Sequence, residues 1–424
     1  MRFYEISEKI RSYLPKPVTQ AKANDPKPKA QGGRTRHPFH GKLVGDSIEH
    51  NGEQLDEGAR IQHAEDVVFW EGSKGAIRAV ESLKKLASGG HKDVTIKWDG
   101  SPAIIFGRDE ISGEFVLTDK SGFGAKGYDG KSKSGRDLEK MLHNRKLSKG
   151  QDVPPDYKKF ARSMRGAFDA FEQVVPKDHS GYFKGDLLYF DTPKVVDNNF
   201  VFKPNLVTYT IPVRSELGRK IARSKVGVVI HNEVSDDGSE SPLTIDVDSF
   251  FRDGEALIFP PVVVSEPPSI NTDAIRTLQA DINKSAQAID KLLNKEQLTQ
   301  LKLSDLPSVF YTYTNKKVDS GMANLGKDFL DWLATSKVSK PKQERMRDYI
   351  QQNAAGFKAL WSIVKEIQDV KDDIINQFDS QNSDVKASIG DTPGGEGYVL
   401  AHDDGPIKLV NRAGFTAANR AVER

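Results

Sequence analysis

The sequence predicts an α+β fold, and three observations carry that prediction. Short β-branched and aromatic runs, bounded by Gly, Pro and Asp, recur from residue 94 to residue 264. Residues 271–380 change to apolar residues three and four apart, the period of a helix buried on one face. Strand-like runs then return over 390–411. The expected architecture is an antiparallel-sheet domain carrying a large helical insertion.

Residues 1–14 place Phe3, Ile6, Ile10 and Tyr13 at helical spacing, and Pro15 and Pro17 stop that helix. It has no apolar core segment, so a secretory signal is not expected. Residues 15–45 set Lys16, Lys22, Lys27, Lys29, Arg34, Arg36 and Lys42 against Asp25 alone. This reads as a flexible basic arm, and a loose polycation binds phosphate without fixed structure. Residues 63–88 form an amphipathic helix through Ala76, Ile77, Val80, Leu83 and Leu86, ended by Gly89 and Gly90.

Strands are expected at Val94–Ile96, Ala103–Phe106 and Glu114–Thr118, forming a small meander. Tyr157, Phe160, Met164, Phe168 and Phe171 mark a helix over 154–175. Strands follow over 181–190, 206–212 and 226–231. Three apolar stripes then mark the helical stretch: Ile275 to Leu292, Leu325 to Leu333, and Phe357 to Phe378. The last strand-like runs are 396–400 and 406–410. The sheet domain is thus expected over 46–270 and 386–424, with the insertion over 271–385.

Composition bounds the function. The 424 residues include no cysteine, which excludes a disulfide framework, a thiolate zinc site and a cysteine nucleophile, and fits a reducing, cytoplasmic setting. No run approaches the ~20 apolar residues of a membrane span, so no membrane partner is expected. A net charge of +2 gives no global pull towards polyanions, so nucleic acid must meet a local patch.

One stretch concentrates the chemistry. Val94-Thr95-Ile96-Lys97-Trp98-Asp99-Gly100-Ser101 runs from a strand into a Gly-Ser-Pro turn. Further on stand Lys120-Ser121-Gly122 at a strand end, Phe183-Lys184-Gly185-Asp186-Leu187, and Glu396-Gly397-Tyr398-Val399 followed by Lys408. A Gly/Lys-rich loop over 119–136 offers backbone N–H and ammonium groups to a phosphate.

In this order the motifs resemble those of the covalent nucleotidyltransferases, the ATP-dependent DNA and RNA ligases and capping enzymes. The resemblance implies an antiparallel ligase adenylation domain, with ATP and Mg²⁺ as cofactors and nucleic acid as partner, either RNA or a nicked or broken duplex. It implies that Lys97 is the nucleophile and that Ile96, Asp99, Gly100, Lys120, Asp186, Tyr209 and Lys408 surround the nucleotide. Tyr209 would stack on the purine. Glu396 and Asp186 would hold the metal. Ligase-like proteins of tailed phages are the nearest in overall look, which would place the protein in a host cytoplasm.

The residue types suit the reaction. A lysine of ordinary pKa, about 10.4, must shed its proton to attack phosphorus. A metal and a second ammonium would favour that and offset charge on the transferring phosphate.

Several positions depart from the family pattern. Pro102 stands where many DNA ligases have arginine, Thr95 where many have glutamate, and Val410 where a second lysine is common. No OB domain is expected after Lys408. These departures favour an RNA ligase-like enzyme. They also leave open a second reading, a degenerate structural or nucleic-acid-binding accessory protein on the same fold.

Overall fold

A computed structural model describes residues 62–123, 131–147, 150, 152–320, 322, 324–381, 383–400 and 407–415. The expected N-terminal helix and basic arm lie outside the described residues. The chain divides into two compact units at Trp98/Asp99 and Pro260/Pro261. One holds residues 99–260. The other holds 62–98 and 261–415.

In chain order the strands are β1 (Gln62–His63), β2 (Val94–Ile96), β3 (Ala103–Arg108), β4 (Phe115–Asp119), β5 (Gly181–Tyr189), β6 (Lys194–Val196), β7 (Asn199–Phe202), β8 (Thr208–Pro212), β9 (Val226–Val234), β10 (Glu240–Pro242), β11 (Ala256–Phe259), β12 (Lys386–Ile389), β13 (Thr392–Pro393), β14 (Tyr398–Leu400) and β15 (Ile407–Leu409). The helices are α1 (Val67–Ala87), α2 (Lys120–Phe123), α3 (Gly135–Leu147), α4 (Pro155–Val174), α5 (Glu216–Arg223), α6 (Val247–Phe250), α7 (Thr272–Leu292), α8 (Lys295–Gln300), α9 (Leu306–Lys317), α10 (Phe329–Thr335), α11 (Lys340–Gln352) and α12 (Ala354–Asp379). The fold is α+β with mainly antiparallel sheets, as the sequence predicts.

In the 99–260 unit, β10, β9, β5, β3 and β4 pair antiparallel in that order, and β11 adds to β9 in parallel. Alternation along the strands gives this sheet two faces. Ile104, Phe106, Phe183, Leu187, Val228 and Ile230 point to one side, where α3 and α4 cover them with Leu138, Leu142, Phe168 and Phe171. The other side carries Ile105, Val116 and Tyr182, then the polar Lys184 and Asp186. Strands β6, β7 and β8 form an antiparallel meander. Its first turn bears Asp197 and Asn198 at φ 48° and 61°, the left-handed geometry of a tight hairpin.

In the other unit, β1, β15, β14 and β2 form a four-stranded sheet. Val94, Tyr398, Leu400, Ile407 and Leu409 join a core with α1 and α7–α12, centred on Phe69, Phe310, Phe329 and Trp361. The helical stretch is therefore not a separate insertion. It shares its core with α1 and with the strand that leads into Lys97. The sequence places a helix over 63–88, but α1 begins at Val67 and breaks at Gly72, whose φ is 63°. The break is capped from a distance. Asp290 of α7 accepts from the Ser73 N–H at 2.8 Å and its Oγ at 2.7 Å, and a Cβ on Gly72 would meet Asp290 Oδ1 at 2.5 Å.

Candidate active site

The four-stranded sheet builds the cationic part of the site. Val399 pairs with both Thr95 and Lys408, and Lys408 pairs with His63. Paired residues share a face, and Lys97, two beyond Thr95, shares it too. The intervening residues Val94, Ile96, Tyr398, Leu400, Ile407 and Leu409 point into the core. Strand alternation alone thus brings Lys97, Lys408 and His63 to one face.

Beside Lys97 stands Glu396. The Lys97 backbone N–H donates to the Gly397 carbonyl at 2.9 Å, and the Lys97 ammonium forms a short ion pair with the Glu396 carboxylate. Glu396 is almost wholly buried, and about a fifth of the Lys97 side chain is exposed. The glycine of this motif has a backbone reason. Gly397 sits at φ 134°, and a Cβ there would lie 2.3 Å from the Leu409 carbonyl oxygen.

His63 is buried and neutral. Burial first, then the charges of Arg412, Lys371, Lys408 and Lys97, push its pKa well below the usual 6.5. Both sheet lysines thus act on one imidazole, whose Nδ1 finds no partner among the described residues. Sequence reasoning missed His63, because a two-residue strand leaves no periodic signal.

Behind this face lies a buried ionic cluster. Lys371 donates to Glu65 at 2.8 and 3.0 Å, and Arg412 grips Asp66 at 2.9 and 2.5 Å. Arg412 also reaches Glu65 at 3.3 Å and Asn315 at 3.1 Å. Burial raises the Asp66 carboxyl to about 6, although Arg412 works against it. Glu65 and Asp66 follow His63 after a single residue, Ala64, so the cluster anchors β1.

The 99–260 unit carries the remaining candidates. Asp99 is buried, and its carboxylate accepts from Asn205 Nδ2 at 2.7 Å, Leu206 N at 2.6 Å and Val207 N at 2.9 Å. Its own N–H donates to the Tyr209 hydroxyl at 2.6 Å. Asp99 is therefore a strut for the 205–209 segment. Gly100 lies against β5, where a Cβ would meet Asp186 Cβ at 2.7 Å. Asp186 is partly exposed and bonds His231 Nε2 at 3.0 Å. His231 was given no role by the sequence, and its pairing with Asp186 is a tertiary fact.

Three further residues are placed as follows. Tyr209 is wholly buried, its ring packs against Phe202 and its hydroxyl accepts from the Asp99 N–H. Ile96 turns its side chain to the helical core, because the pleat sends neighbours to opposite faces. From the Gly/Lys-rich loop, Lys131 is buried. It donates to Asp236 at 3.0 Å and Tyr182 at 3.1 Å and lies 4.2 Å from the Phe123 ring centroid, so it is not offered to phosphate. The side chain of Lys120 lies outside the described residues.

Among the described residues, no three His, Asp or Glu side chains are grouped to hold a metal. Glu396 places a hard oxygen donor beside Lys97. That fits Mg²⁺, which is often bound through one or two carboxylates, substrate phosphates and water.

A family model described as a family of unknown function, DUF6267, matches residues 59–424. The chain belongs to the DUF6267 family. No curated protein and no solved structure matches it. In this DUF6267 member the match spans the described parts of both units, including Lys97, Glu396 and Lys408. No described helix is long and apolar enough to cross a membrane.

Proposed function

We propose that this protein is an ATP-dependent, ligase-like nucleotidyltransferase that forms a covalent lysyl-AMP and seals nucleic-acid ends, RNA in preference to DNA. The observation that carries the reading is the pairing of Lys97 with Glu396 across 299 residues, with Lys408 on the same sheet face.

In this reading the Lys97 amine, once deprotonated, attacks the α-phosphorus. The new P–N bond forms as the α–β P–O bond breaks, pyrophosphate leaves, and the amine proton passes to solvent. Glu396 orients the Lys97 chain before attack, and Lys408 adds positive charge where phosphate charge develops. Mg²⁺, when bound, would neutralise charge on the phosphates, with Glu396 as its protein ligand. An ammonium in an ion pair has no lone pair to offer, so loss of the Lys97 proton is the gate of the reaction.

The test is intact-mass analysis after incubation with ATP and Mg²⁺. One AMP should add to the wild-type chain and none to Lys97→Ala or Lys97→Arg. An unchanged wild-type mass, or an AMP gain that persists in both variants, would sink the proposal.

A further inference from the structure

We propose that the solvent face of the α3–α4 helix pair is a docking surface for the phosphate backbone of a polynucleotide. The proposal takes its nucleic-acid partner from the functional reading above but is independent of chemistry at Lys97.

Charge concentrates in this pair. The two helices hold eight Lys and Arg against five Asp and Glu, a net of +3 in a chain whose total is +2. The helices pack antiparallel. Gly135 at the start of α3 abuts Arg165 and Phe168, while Lys146 near its end lies 5.3 Å from the Tyr157 ring. Apolar Leu138, Leu142, Phe160 and Phe168 turn inward. Arg136 and Lys140 of α3, and Lys158, Lys159, Arg162 and Arg165 of α4, remain exposed.

Of these six cations, Arg165 has an acidic partner among the described residues, Glu139 at 3.2 Å. The layout of α4 runs against its dipole. Its cations fill the exposed face of the first three turns, and its last turn has none. Local helix energetics disfavour that order, whereas an external polyanion favours it.

The test is fluorescence anisotropy with a labelled single-stranded RNA and a labelled duplex DNA, titrated across salt with the full chain. Reversing Arg136, Lys140, Lys158 and Arg162 to Glu should weaken binding at least tenfold. The slope of log Kd against log salt should fall by about 3, at 0.7–0.9 per phosphate contact. A set with Gln at the same positions should show the same direction with unchanged circular dichroism, guarding against misfolding. The charge variants should still gain AMP. Failure of AMP transfer, with binding that the charge variants weaken, would overturn the ligase reading alone. Equal affinity and slope in variant and wild type would overturn the docking surface. So would wild-type binding to phosphatidylserine vesicles with none to either polynucleotide.

Discussion

Replacing Lys371 by Met removes one half of a buried ion pair, and the structure sets the size of the effect. Both the Lys371 and Glu65 side chains are wholly buried, with the ammonium bonded to both carboxylate oxygens. Burial pushes the Glu65 carboxyl up, yet Lys371 and Arg412 more than offset it and hold the group low. Without Lys371, Glu65 keeps a backbone hydrogen bond and the 3.3 Å contact to Arg412, whose shorter bonds go to Asp66. Breaking a buried pair costs about 3–5 kcal/mol, and the surviving Arg412 contact places this variant near 3 kcal/mol. For a unit of about 150–250 residues that lowers Tm by roughly 6–12 °C. Lys371→Met/Glu65→Leu removes both charges and should recover most of the loss, because Glu65 is then not stranded; Asp372, 3.6 Å from Lys371 and partly exposed, loses that neighbour in both variants. Calorimetry on the single and double variants checks this. A single variant within about 1 kcal/mol of wild type, or a double variant as damaged as the sum of its parts, would refute the reasoning.

Asp99→Ala strips three buried donors of their acceptor and should destabilise by roughly 3 kcal/mol or more, read by urea unfolding, with Asp99→Asn intermediate. His63 should make the fold acid-sensitive. Its folded pKa lies below the unfolded 6.5, so as pH falls below 6.5 the unfolded chain takes up a proton that the folded chain refuses. Stability should fall there by up to ~1.4 kcal/mol per pH unit from this group, and His63→Leu should lose that component. Asp66 acts in the opposite sense. Its folded pKa of about 6 lies above the unfolded 3.8, so its contribution is lost as pH rises between them. The difference between wild type and His63→Leu across pH therefore reads His63.

The elements of this protein were legible because their signals are local. The aromatic stripe of 154–175, the strand at 181–190 and the heptad-like run ending at Phe378 each declare a buried face by spacing alone, and all three formed. Alternation in Val94–Lys97 and Ile407–Leu409 likewise fixed which residues would leave the core. Other features depend on partners far along the chain. The break at Gly72 needs Asp290, and Asp99 becomes a strut only when residues 205–209 fold against it. The burial of Tyr209 and Lys131, and the division of the chain at Trp98/Asp99, follow from the same long-range packing. Sequence determined which side chains each strand would present. Only tertiary structure decided which of them meet, because burial, desolvation and ion pairing depend on distances that residue order does not encode.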